Sequence, residues 1–203
     1  MLRRVASRVS MRSRRRKLDL LLELLQPGPE TTVVDVGVTD APFGAGSSDN
    51  FFEALYPWPE RITAVGPTEL ERFGAAFPGI RAVRSDGRDL PFADGEFDLG
   101  FSNAVVEHVA GGREGQRRFV EELCRVAGKV FVTTPNRWFP VDPHTLLPFV
   151  HWLPRARARD RLLRARGFRD VLDPLGPKEL ARLFPYPVRV INTGMTLVAV
   201  GPS

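Results

Sequence analysis

The sequence is poor in residues that build covalent or metal-linked scaffolds. Its 203 residues include a single cysteine, Cys124, and only three histidines. One cysteine excludes an intrachain disulfide and any metal cluster built on several thiolates, and its helical apolar surroundings favour a buried, inert thiol. We therefore predict no metal site, and the lone thiol is compatible with a reducing cytoplasm.

Long hydrophobic runs are missing as well. No stretch approaches the roughly 18–20 apolar residues of a transmembrane helix. Residues 18–25 follow a basic start, but Asp19 and Glu23 interrupt them, which is typical of an amphipathic helix and not of a secretion signal. The sequence therefore predicts a soluble, cytoplasmic protein with no integral membrane segment.

Acidic side chains are absent from the start of the chain. Residues 1–17 hold eight basic side chains and no acidic one, whereas the remainder has 21 basic and 24 acidic side chains. We predict a basic N-terminal arm over residues 1–17 and a single domain over residues 18–203. This charge pattern favours a solvated, partly disordered arm, and it leaves open contact with an anionic membrane surface or with nucleic acid.

Apolar runs of strand length alternate with helical patterns along the body. Strands are predicted at 31–37, 61–65, 80–84, 97–101 and 129–134, with two more near 187–191 and 195–200. Alternation of this kind is typical of a doubly wound, mainly parallel α/β sheet. The last two runs flank Asn192-Thr193-Gly194, a hairpin signal. The predicted fold is thus a seven-stranded sheet that ends in an antiparallel C-terminal hairpin.

The most specific pattern lies in residues 85–109. A loop around Asp86 leads to a turn at Asp94-Gly95 and a short buried strand, which ends in Ser102-Asn103 before helical spacing begins. Small polar residues at a strand end stand where an open α/β sheet holds its ligand. The ordered string closely resembles class I S-adenosylmethionine-dependent methyltransferases, in particular the group called type 11.

The resemblance implies a Rossmann-like methyltransferase fold with S-adenosylmethionine as cofactor. In the family, the residue at position 86 and its neighbour hold the adenine, and the segment that ends at 103 borders the methionine part. The cofactor-binding positions that it implies are Asp35, Gly37, Val38, Gly66, Asp86, Gly87, Arg88, Asn103 and Ala104.

The first half of that site departs from the family pattern. The family usually has an acidic residue followed by three alternate glycines, and here Asp35 and Gly37 match while threonine and alanine replace the later two. Gly66 stands where relatives commonly place an acid for the ribose hydroxyls. Glu69 either reaches back to the ribose or stabilises the start of a helix, and the residues leave both interpretations open.

Catalytic and acceptor-binding residues are predicted near the ends of strands four and five. Transfer to a hydroxyl needs a base, and His108 and His144 are the candidates, although the interpretation of His108 as a helix residue satisfied by a nearby carboxylate is favoured. A Thr-Pro-Asn turn after strand five also occurs in type 11 relatives. Residues 137–170 are therefore interpreted as an acceptor-side insertion or lid, or else as a cover for the sheet edge. The acceptor-binding candidates are Asn136, Arg137, Trp138 and His144.

Two classes of function follow. The first is a methyltransferase that acts on a small-molecule or a lipid- or sugar-linked acceptor. The second is a catalytically silent binding or scaffold protein with the same fold, which the altered glycine loop and the absent ribose acid motivate. A nicotinamide enzyme is disfavoured, because no Gly-x-Gly-x-x-Gly follows the first strand and no acid ends the second.

Overall fold

The computed structural model describes residues 2–41, 43, 49–140 and 173–202, with residues 2–10 described by their backbone alone. The strands are β1 Val33–Val36, β2 Ile62–Gly66, β3 Arg81–Arg84, β4 Phe97–Asn103, β5 Ala127–Pro135, β6 Arg189–Asn192 and β7 Thr196–Gly201. The α-helices are α1 Leu2–Leu25, α2 Phe51–Leu55, α3 Glu71–Ala76, α4 Gly112–Val126 and α5 Pro177–Ala181. Single 3-10 turns span Pro59–Arg61 and Val106–His108.

The seven strands form one sheet in the order β3-β2-β1-β4-β5-β7-β6. Strands β1 to β5 pair in parallel, and β7 runs antiparallel to both β5 and β6. The predicted fold class, with its C-terminal hairpin, is confirmed. Every predicted strand boundary lies within two residues of the observed one, because apolar runs and Gly/Pro punctuation are local signals.

Helices cover both faces of the sheet. Leu18 and Leu21 of α1 pack in one core together with the aromatic residues of α2 and α3. Phe119 and Leu123 of α4 pack on the other face with α5. All residues of β1 and β2 are buried, whereas the edge strands β3 and β6 are largely exposed. A sheet buried on both sides explains why its central strands are continuous apolar runs.

The N-terminal region differs from the solvated arm that its charge predicts. Residues 2–25 form one helix, which passes through position 17 without a break. Arg12, Arg15 and Arg16 are exposed, but Arg14 and Lys17 are only partly exposed. Three of these side chains therefore face solvent, while two turn towards the protein. The apolar side chains Leu18 and Leu21 pack in the core, and Lys17 of the preceding turn donates to Asn103 at the end of β4.

Among the described residues, no helix is long and apolar enough to cross a membrane. The same part of the chain contains no group of three or more histidine, cysteine or acidic side chains arranged to hold a metal ion. Cys124 is a free thiol on α4, and burial raises its pKa to about 11. A thiol with a raised pKa is a poor nucleophile, as the sequence predicts.

Candidate functional site

The carboxyl ends of β1 and β4 meet at the centre of the sheet, where the strand order reverses direction. From β1 the chain proceeds outwards to β2 and β3, and from β4 it proceeds the other way to β5. Ligands of open α/β sheets bind at this switch point. Gly37, directly after β1, has φ +117°, and a Cβ built on it would lie 2.2 Å from Cγ2 of Val105, which follows β4. Only glycine fits there, so the two strand ends are in direct contact.

The end of β2 is occupied by backbone. The amides of Gly37 and Val38 both donate to the carbonyl oxygen of Val65, at 2.8 and 3.1 Å. A Cβ on Gly66 would lie 2.7 Å from the carbonyl oxygen of Val38. The space that a ribose-binding acid would need is therefore filled by the chain that leaves β1. This explains why glycine replaces the acid at position 66.

Glu69 takes neither of its two predicted roles. Helix α3 begins at Glu71, two residues after it, and the Glu69 carboxylate forms an exposed ion pair with Arg84 of β3. The backbone amide of Phe73, in the first turn of α3, donates instead to Oδ1 of Asp40 at 3.0 Å, and Asp40 lies far earlier in the chain. A side chain of the loop after β1 therefore caps α3.

Asn50 holds the described part of that loop. Its Oδ1 accepts from the amide of Thr39 at 3.1 Å, and its Nδ2 donates to the carbonyl oxygens of Thr39 and Ala41 at 2.8 and 2.5 Å. Asn50 has φ +53°, a left-handed conformation that asparagine tolerates better than most residues. One side chain thus supplies contacts for the loop where the family's later glycines are missing.

Two carboxyl groups are buried together near the carboxyl end of β1. Asp35 of β1 and Glu53 of α2 are 6% and 2% exposed. Burial and the neighbouring Glu53 carboxyl raise the pKa of Asp35 well above its usual range, and burial also raises the pKa of Glu53. Asp35 was predicted from the sequence, but Glu53 was not. A carboxyl pair in such surroundings resists double ionisation.

Asp86 lies in the loop after β3, as predicted for an adenine-binding carboxylate. It is exposed, and its oxygens accept from the amide and guanidinium of Arg88, with the shortest contact 2.6 Å. This pairing lowers the pKa of Asp86. Gly87 is required by packing, because its Cβ would lie 2.5 Å from the Phe119 ring of α4. The loop is therefore held close to α4 with its carboxylate turned outwards.

Asn103, at the end of β4, receives two hydrogen bonds on one atom. Its Oδ1 accepts from Nζ of Lys17 at 2.8 Å and from Oγ1 of Thr133 at 2.8 Å. An ammonium group can only donate, so the amide oxygen must face Lys17. Ala104 follows with φ +57°, an uncommon conformation for alanine. Helix α1 thus orients a predicted cofactor-binding side chain.

Glu107 balances the charge of Lys17. It is buried in the turn after β4, and its Oε2 accepts from Oγ1 of Thr134 at 3.1 Å. Burial and the nearby charge of Arg14 lower the pKa of Lys17 to about 8, against the opposing effect of Glu107. Lys17 is partly exposed by area, but its ammonium group is enclosed by these partners. The predicted base His108, one residue later, is exposed.

The acceptor-side residues after β5 make contacts within the fold. Asn136 is buried, and its Nδ2 donates to Asn192 and Gly194 of the hairpin. Arg137 pairs with Glu179 at 2.7 Å and lies 3.7 Å from Asp173. These contacts join the end of β5 to the hairpin, to Asp173 and to α5.

Trp138, which follows, is 62% exposed at this edge. His144 and most of the predicted lid lie outside the described residues. Trp138 is therefore the acceptor-side candidate whose described side chain is most open to a ligand.

Sequence reasoning gave no direct role in the site to three residues, Lys17, Glu53 and Glu107. Each lies in a pattern that is ordinary for a helix surface, and each is far along the chain from its partner; Lys17 and Asn103 are 86 residues apart. The only available signal was the unusual charge of Glu53 between apolar residues in Phe51-Phe52-Glu53-Ala54-Leu55.

Comparison with known proteins agrees with this geometry. Residues 42–130 match the family model described as "Methyltransferase domain". A protein of Mycobacterium sp. (strain JLS), described as an uncharacterized methyltransferase, is 34% identical over 162 residues, which cover 76% of this chain and 60% of the relative. Residues 42–130 of the chain therefore belong to the methyltransferase domain family. The predicted family is thereby confirmed, and the chain spans less than two thirds of that relative's length.

Solved structures of other proteins share this fold. A Pyrococcus horikoshii protein aligns with a TM-score of 0.62 at 17% identity and covers 95% of this chain and 91% of its own. A Burkholderia thailandensis didemethyltoxoflavin N-methyltransferase, solved with S-adenosylhomocysteine, aligns with a TM-score of 0.57 at 14% identity, covering 92% of this chain and 76% of its own. At these identities the likeness establishes the shared fold.

Proposed function

We propose that the protein is an S-adenosylmethionine-dependent methyltransferase whose cofactor lies across the carboxyl ends of β1, β2 and β4. The observation that carries this proposal is the junction of Gly37 with Val105, which brings the family's first and fourth strand ends together at the switch point. Backbone at such a glycine can approach a ligand closely. The cofactor supplies an electrophilic methyl group on a sulfonium.

The residues at this edge fit such a cofactor. Asp35 and Glu53 offer buried negative charge for a cationic ligand, and Asp86 offers an outward carboxylate to the adenine amino group. Asn103 keeps Oδ1 on Lys17 and Thr133, so its Nδ2 is the atom left to donate to the ligand. Val38, Gly66, Gly87, Arg88 and Ala104 complete the proposed contacts through backbone and packing.

We assign the ribose to backbone and water, because Gly66 is blocked by the carbonyl oxygen of Val38 and Glu69 pairs with Arg84. Ordered water can replace a direct hydrogen bond at modest entropic cost. This arrangement predicts weaker cofactor binding than an acid at position 66 would provide.

The acceptor is proposed to be a small molecule or a lipid- or sugar-linked group. Trp138 offers apolar surface for it, with Asn136 and Arg137 beside it at the end of β5. His108 and His144 remain the proposed bases, and residues 137–170 the proposed lid. A cytoplasmic location is proposed from the single reduced thiol.

Titration calorimetry with S-adenosylhomocysteine tests the cofactor site. We expect the wild-type protein to bind and Asp86→Ala to bind roughly 10-fold or more weakly, since a hydrogen bond to a charged group contributes about 1.5–3 kcal/mol. Asp94→Ala is the matched control, because Asp94 is also an exposed carboxylate paired with an arginine, Arg125. Absence of wild-type binding at high micromolar ligand would reject the proposal.

Measurement of methyl transfer distinguishes an enzyme from a catalytically silent scaffold. Incubation with methyl-labelled cofactor and fractionated lysate should place label in a lipid extract or in the small-molecule fraction. The fraction that gains label identifies the acceptor class. Tight cofactor binding with no label in any fraction would favour the silent alternative.

A further inference from the structure

The buried carboxyl groups of Asp35 and Glu53 need a cation beside them if both are to ionise, and the described residues do not supply one. Both side chains lie on the sheet face covered by α1 and α2 and are more than nine-tenths buried. The Asp35 carboxyl group is the side-chain partner of Glu53, and no N–H or O–H group of another described residue donates to either oxygen of Glu53. A buried carboxyl group without donors is strongly disfavoured in its ionised form.

Among the described side chains of α1, the two cations that turn towards the protein, Arg14 and Lys17, have partners other than the carboxyl pair. The guanidinium of Arg14 lies 5.7 Å from the centre of the Phe51 ring and interacts with Asp49, while the ammonium of Lys17 donates to Asn103. Neither contributes to the pKa shift of Asp35 or Glu53, whose main causes are burial and each other. Positions 42 and 44–48 contain no basic residue.

Two touching carboxyl groups without a cation cannot both ionise at moderate cost, since the charges repel in a medium of low polarity. The raised pKa values favour the protonated form, and the protons belong to the pair and not to one residue. A cation that arrives beside the pair reverses this preference, because it stabilises the second carboxylate.

We propose that Asp35 and Glu53 form a proton-exchanging cation subsite, at which a cationic centre of the methyl donor displaces a proton from the pair. This proposal rests on the proposed function. On binding, one carboxyl group releases its proton to solvent as the positively charged ligand arrives. Where the sulfonium is that centre, methyl transfer turns it into a neutral thioether, and the pair then takes a proton back from solvent.

Proton release is measured by titration calorimetry in two buffers of different ionisation enthalpy at pH 7. We expect S-adenosylmethionine to release up to about one proton per wild-type protein. S-adenosylhomocysteine identifies the cationic centre, because it keeps the α-ammonium group and lacks the sulfonium. Release with both ligands assigns the α-ammonium, and release with the methyl donor alone assigns the sulfonium.

Glu53→Gln is the decisive variant, since it keeps the shape of the side chain and removes one exchangeable proton from the pair. We expect proton release to fall by at least half, with Glu121→Gln, an exposed change on α4, as the control. Infrared spectroscopy of the free protein provides a second readout. A carbonyl band of a protonated carboxyl group should be present at pH 7 and should be shifted or weakened in Glu53→Gln and Asp35→Asn.

The outcomes separate the two proposals. Binding of the methyl donor without proton release, or equal release from Glu53→Gln, would overturn the cation subsite and leave the methyltransferase proposal standing. An absent infrared band would likewise overturn the subsite. Failure of both ligands to bind would reject the proposed function and this subsite with it.

Discussion

The candidate cleft has two halves, one at the end of β1 and one at the end of β4, and they differ in how their buried charges are neutralised. The β1 half holds two carboxyl groups, Asp35 and Glu53, with no cation beside them among the described residues. The β4 half holds Lys17 and Glu107 around the amide of Asn103, so positive and negative charge are both present. The first half is complete only with a proton or a cationic ligand, whereas the second is balanced by the protein itself.

This difference follows from the helices that cover each strand end. Helix α2 brings an acid to the acid of β1, while α1 brings a lysine to the polar end of β4. A buried charge is tolerated when a partner or a proton neutralises it. We therefore expect the β1 half to respond to the charge of a ligand, and the β4 half to orient side chains.

We expect the largest effect on stability from a substitution at Gly37, where the β1 half contacts Val105 of the β4 half. Gly37→Ala introduces a Cβ 2.2 Å from the Val105 side chain at a φ of +117°. We expect a loss of roughly 3 kcal/mol or more in the free energy of unfolding, because overpacking and backbone strain add. Urea denaturation measures the loss. Gly74→Ala in α3, where an added Cβ would meet no atom within 4 Å, should instead be neutral or stabilising by up to about 1 kcal/mol.

Lys17→Met tests the β4 half through pH. The folded pKa of Lys17 is about 8, below the value near 10.4 of an unfolded lysine, so between these values the unfolded chain binds more protons. Wild-type stability should therefore rise relative to the variant from pH 8 to pH 10, by up to about 1.4 kcal/mol per unit. Urea denaturation at several pH values measures the slope.

Arg15→Met is the control for that measurement, since Arg15 lies on the exposed side of the same helix. It should show no such slope relative to wild type in the range below pH 10. A flat difference between Lys17→Met and wild type would show that the ammonium group is solvated and does not orient Asn103.

Glu53→Gln tests the β1 half and should give a smaller slope of opposite sign. The folded pKa values of the carboxyl pair are raised, so above the pKa of an unfolded glutamate the folded state binds more protons. Wild-type stability should then fall relative to the variant as pH rises from about 5 towards neutrality. Denaturation curves across this range, in the absence of ligand, provide the measurement. If the difference in free energy of unfolding between wild type and Glu53→Gln does not change with pH, the pair is solvated and the two halves do not differ in this respect.

Much of the fold was predictable because its signals are local. Alternating apolar runs, the Asn192-Thr193-Gly194 turn and the string at 85–109 are each contiguous in the chain. Asp35, Asp86 and Asn103 were placed at strand ends for the same reason, and they lie there in the structure. The burial of Lys17 was not predictable, because composition does not indicate which two of several basic side chains on a helix turn inwards.

The sequence by itself determined the succession of strands and helices along the chain, the glycines at the strand ends and the small polar residues that follow them. Tertiary structure alone decided the partners: Glu53 beside Asp35, Lys17 on Asn103, and the Val38 carbonyl in the space of an acid at Gly66. Periodicity and turn chemistry act between neighbours in the chain, whereas burial and charge pairing depend on which distant surfaces the packed helices bring together.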